Sequence, residues 1–87
     1  MTFKIEFSKP AEKQFTNIQK SDLKKISQKI DKLASNPFPT GHEKLKGEDD
    51  LYRVRQGDYR IIYSVLEKKL IVLIVKIRHR REAYRRA

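Results

Sequence analysis

The sequence predicts an α+β fold with the element order β-α-α-β-β-β. A largely antiparallel sheet carries a two-helix hairpin on one face, and a short helix closes the chain. Three observations predict it. Apolar and charged residues alternate in the first seven positions. From Ala11 to Leu33 the apolar residues recur at three- and four-residue intervals. From Leu51 onward the period returns to two, with turn signals between the runs.

The opening "TFKIEF" sets Phe3, Ile5 and Phe7 on one face and Lys4 and Glu6 on the other, as an edge or half-buried strand does. Ser8 is placed to cap the first helix, and Pro10 is tolerated in its first turn. Ala11, Phe15 and Ile18 share a helical face. In "QKSDLKKISQKIDKLASNP" the second helix is read with Ser21 as its cap. Leu23, Ile26, Ile30 and Leu33 form an apolar stripe among lysines. "NPFPTG" ends it with two prolines and a glycine. "LYRVR" and "YRIIYSVL" then alternate around the turn "QGD". After a second turn at "EKK", "LIVLIVKI" is apolar on both faces at its start, the mark of a central strand.

Eighty-seven residues without repeat or linker make one domain, 1–87. Such a chain buries about 60% of its unfolded surface, enough for a single core. There is no cysteine, which excludes disulfides and thiolate metal sites. His42 and His79 lack the spacing of a structural zinc site. The apolar run Leu70 to Val75 is far short of the roughly 20 residues of a membrane helix, and the first residues lack the apolar core of a signal peptide. A cytoplasmic protein without a membrane partner is expected.

The net charge is +10, unevenly spread. Residues 1–43 hold eight lysines and five acids, giving +3; residues 44–87 hold thirteen bases and six acids, giving +7. All eight arginines lie between Arg53 and Arg86. The guanidinium fork suits bidentate phosphate contacts, so this segregation points to phosphate binding by the C-terminal half.

Strand period puts Arg53 and Arg55 on one face, and Arg60 follows just after the turn. With the helices on the other face, these three form a basic platform. A solvated polar sheet face is the alternative reading. The closing "KIRHRREAYRR" adds Arg78, His79, Arg80, Arg81 and Tyr84. A helix beginning near His79 would bring Arg80 and Tyr84 together at i and i+4. Lys46 is expected at the rim. Rings beside guanidiniums are the means by which single-stranded RNA is held.

"YRVRQGDYRIIYSV", followed by an apolar strand and "HRREAYR", resembles the RelE/ParE superfamily of toxins, and within it the RelE-type mRNA interferases. The likeness covers nearly the whole chain. It implies a type II toxin that enters the ribosomal A site and cuts mRNA there, inhibiting translation. The 2′-hydroxyl attacks the adjacent phosphate and leaves a 2′,3′-cyclic end, without metal or other cofactor. The family's basic strand residues fall on Arg53 and Arg55, the arginine after the turn on Arg60, the C-terminal arginine on Arg80 and the tyrosine on Tyr84. Arg78 and Arg81, with Lys46, would add RNA contacts. Some members carry lysines at the first two positions. Arginine does not give up its proton, so Arg53 and Arg55 are expected as phosphate clamps. His79 is the candidate proton carrier, with Tyr84 and Lys46 after it. Asp58 suits a turn, and Glu82 suits pairing with neighbouring arginines.

The implied partners are the 70S ribosome with its mRNA and a cognate acidic, RelB-like antitoxin. Operator DNA is contacted only through that antitoxin. Two other functions share the basic surface: a ParE-like toxin that inhibits DNA gyrase without catalysis, and a simple nucleic-acid-binding module. Against the second, the exposed face of "KSDLKKISQKIDKL" lacks a base-reading set.

Overall fold

A computed structural model describes residues 2–47 and 50–80. Strand β1 (Lys4–Phe7) leads into helices α1 (Lys9–Thr16) and α2 (Lys20–Ser35). Then come β2 (Glu43–Lys44), β3 (Leu51–Gln56), β4 (Tyr59–Leu66) and β5 (Ile71–His79). The five strands form one sheet in the order β1-β5-β4-β3-β2. β1 runs parallel to β5, and the other three pairings are antiparallel. The doubly apolar run is central, and "TFKIEF" lies at an edge.

Both helices cover one face. Ala11 and Ile18, with Ile26, Ile30 and Leu33 of α2, pack on Val54, Ile61, Tyr63, Val65, Val72, Ile74 and Ile77. The α2 stripe is the one its periodicity predicts. Ser8 caps α1: its Oγ accepts from the Ala11 N–H at 3.2 Å. Ser21 does not cap α2. The Gln19 carbonyl already accepts from the Leu23 N–H at 2.8 Å, so the helix starts before Ser21, and no side-chain cap is made. The "NPFP" stop is held by the Asn36 side chain, which accepts from the Phe38 N–H at 3.1 Å.

The buried positions of β4 are 61, 63 and 65, in strict period two. Those of β5 are 72, 74 and then 77, so its phase slips by one. The cause is a bulge: Tyr63 pairs with Ile74 and Ile62 with Lys76, leaving Val75 extra. α1 satisfies the displaced backbone. Ser8 Oγ donates to the Val75 carbonyl at 2.6 Å, and Gln14 Oε1 accepts from the Ile77 N–H at 2.8 Å. The slip turns Lys76 and Arg78 to the face away from the helices.

Two expectations of order change. The sheet has a further strand, β2, whose two residues carry no periodicity to read. The last strand continues through His79, which moves the expected start of the C-terminal helix to Arg80. The rest of the expected C-terminal helix lies outside the described residues. Among those described, no helix is long and apolar enough to cross a membrane.

Candidate nucleic-acid interface

The open face of the sheet carries the arginines in rows set by strand register. Arg55 is paired with Arg60, and Arg60 with Arg78. Directly opposed residues lie about 4.5–5.5 Å apart at Cα, so the Cα atoms of three arginines on three adjacent strands span roughly 10 Å. Like charges directly opposite destabilise a sheet. Folding does not require this row.

The β3–β4 turn fixes the register. Gln56 pairs with Tyr59, leaving only Gly57 and Asp58 between them. Gly57 has φ +60° and Asp58 does not share a positive φ, as a tight hairpin with glycine first demands. The Arg80 N–H donates to the Asp58 carbonyl at 2.7 Å, which ties the end of β5 to the turn. Arg55, Gly57, Asp58, Arg60 and Arg80 thereby line a cleft of about 250 Å³.

Arg53 shares this face, with an acid directly paired to it. It pairs with Ile62 on one side and with Glu43 of β2 on the other. Its Nη2 donates to Glu43 Oε1 at 2.5 Å, while its Nε is buried without a hydrogen-bond partner. The hydrogen bond from Arg53, and then its charge, hold the Glu43 carboxyl below the usual carboxylate range; Arg55 and Arg60 add to this.

His79 lies on the helix side of the sheet, in phase with Ile77. Its ring meets Tyr59 edge-on at 4.9 Å, and the two line a pocket of about 160 Å³ with Gln14, Asn17, Ile18 and Ile77. The imidazole and the arginine row thus occupy opposite faces. Lys46 follows β2, beyond the Leu51 end of β3, where the Leu45 N–H bonds the Leu51 carbonyl. The cleft is at the other end of that strand. Arg81 and Tyr84 lie outside the described residues. Sequence reading missed Glu43 as the partner of Arg53, because an isolated two-residue strand gives no signal. It read Asp58 as a turn residue, which it is, but not as cleft lining.

A family model described as the ParE toxin of type II toxin-antitoxin system, parDE, matches residues 5–84. The chain belongs to the RelE/ParE toxin superfamily. It is a type II toxin-antitoxin toxin of the RelE family, to judge by its relatives. A Methanocaldococcus jannaschii protein named "Putative toxin RelE1" is 39% identical over 88 residues, covering 98% of both chains. The toxin chain in the archaeal RelE-RelB complex from Pyrococcus horikoshii OT3 matches at 34% identity and a TM-score of 0.80, with 92% of this chain and 97% of that one covered. Isolated E. coli RelE superposes with a TM-score of 0.79 over 99% of this chain and 98% of its own; at 20% identity it attests the RelE fold alone.

Proposed function

We propose that this toxin is a metal-independent, ribosome-dependent endoribonuclease that cleaves mRNA in the ribosomal A site. The observation that carries the reading is the cleft formed by Arg55, Arg60 and Arg80, with Arg78 beside it. The 2′-hydroxyl loses its proton and attacks the adjacent phosphorus. The bond to the 5′-oxygen breaks, that oxygen takes a proton, and a 2′,3′-cyclic phosphate remains. Fixed guanidiniums in the cleft stabilise the charge that grows on the phosphate oxygens. Arginines cannot move the protons. That work falls to Tyr84 and His79. Because His79 faces Tyr59 on the other side of the sheet, Tyr84 takes precedence for chemistry in the cleft.

The reading includes a RelB-like antitoxin as partner, since several structural relatives are RelB-RelE complexes. An acidic antitoxin matches the +10 charge, and operator DNA would be reached through it. The test is a translation reaction with a defined mRNA, mapped by primer extension. Cuts within A-site codons that vanish without ribosomes, and in Arg60→Ala, are expected. Intact mRNA with folded protein would overturn the reading. The matching ParE family model favours one second reading, gyrase inhibition without catalysis, and a supercoiling assay would then decide it.

A further inference from the structure

We infer that Glu43 is a built-in phosphate surrogate that holds Arg53 out of RNA binding, so that the strength of the basic face is set by this carboxylate. The inference rests on the RNA-binding reading above and deepens it. Glu43 and Arg53 are directly paired across β2 and β3. The carboxylate oxygen accepts from Arg53 Nη2, as a phosphate oxygen does in a charge-assisted contact. The Arg53 side chain is 21% exposed and that of Glu43 54% exposed, so the acid stands on the solvent side of the pair. An incoming phosphate therefore meets Glu43 before it meets Arg53.

The arrangement differs from a surface ion pair formed by chance. Arg53 lies on the same face as Arg55, one strand period away, and Arg55 heads the row leading to Arg60 and Arg78. Without Glu43 the row would gain a cation in line with the strand. With it, that cation is neutralised while Arg55, Arg60 and Arg80 line the cleft. Glu43 thus sets how many phosphates the face can neutralise and confines the contacts to the hairpin end of the sheet.

Counterion release counts those contacts. Each phosphate neutralised on a single strand steepens the fall of log K with log salt by about 0.7, which at about 0.1 M salt is roughly fivefold in affinity. The experiment measures fluorescence anisotropy of a short labelled 2′-O-methyl RNA, which cannot be cleaved, across a salt series. Glu43→Gln is expected to bind about fivefold tighter with a slope steeper by about 0.7. Arg53→Ala alone is expected to leave the slope no steeper and to weaken binding less than the same substitution does in Glu43→Gln, and the double variant is expected to return to wild-type values. Glu43→Ala, checked with Glu43→Gln by circular dichroism, guards against an effect of one substituted side chain. A wild-type slope in both folded Glu43 variants would overturn the inference. So would an Arg53→Ala loss as large in wild type as in Glu43→Gln. Absence of any salt-dependent RNA binding by the wild type would instead sink the RNA reading itself.

Discussion

Among the described residues Tyr63 is the largest fully buried side chain, and it carries a hydroxyl into the core. The hydroxyl donates to the Pro37 carbonyl at 2.6 Å, so one residue of β4 pins the loop that ends α2. Tyr63→Phe leaves that carbonyl unpaired and is expected to cost about 1 kcal/mol at neutral pH, read from chemical denaturation. Burial, and then the neighbouring Tyr52, push the Tyr63 phenol up to about 12, from 10. The unfolded chain releases this proton first, so the folded state is favoured fully below pH 10. That advantage drains away as pH rises from about 10 towards about 12. The difference between wild type and Tyr63→Phe should narrow over that window. Among the arginines, Arg60 stands at the centre of the row, paired on both sides. Arg60→Ala is expected to lower single-turnover cleavage about 10²–10³-fold, with the melting curve kept. Arg55 and Arg60 were legible at this scale because strand period and a two-residue turn fix their side and register. The Glu43 pair was not, since it depends on a strand that only tertiary structure creates.

The bulge in β5 is the element that sequence periodicity could not show. A doubly apolar run hides its own phase, so "LIVLIVKI" gives no sign of where the face changes. The helix that packs nearby supplies the missing constraint. Gln14→Leu would bury the Ile77 N–H without a partner, at a cost of about 1–3 kcal/mol. Cleft chemistry should suffer beyond that loss of stability, because Arg78 and Arg80 follow the bulge. Cleavage measured well below the melting temperature checks this. The hairpin turn makes a parallel case. A β-branched residue at Gly57 would be forced into a positive φ that it rarely adopts. Gly57→Val is expected to destabilise the fold by about 1–2 kcal/mol in a thermal melt.

For the whole molecule, the class was readable because the helix stripes and the strand alternation agree on one core. Three of the four later strand segments, β3, β4 and β5, have runs long enough to show their period; β2 does not. The pairing of β1 with β5 joins residues 4–7 to residues 71–74, a contact with no local signature. It also makes stability non-local. A fragment ending at Leu66 retains both helices and the β3–β4 hairpin in sequence, but it lacks the strand between β1 and β4. It is expected to show no cooperative unfolding transition by circular dichroism.

That central position has a consequence for synthesis. β5 follows every other described strand and both helices in the chain; it carries Arg78 and leads into Arg80. At about 5–20 residues per second, translation reaches the strand only after several seconds spent on the elements before it. Until then the growing polypeptide has neither its joined sheet nor a complete set of cleft cations. Folding and completion of the cleft arrive together, and a product released before β5 carries most of the preceding elements without the joined sheet or the full set of cleft cations.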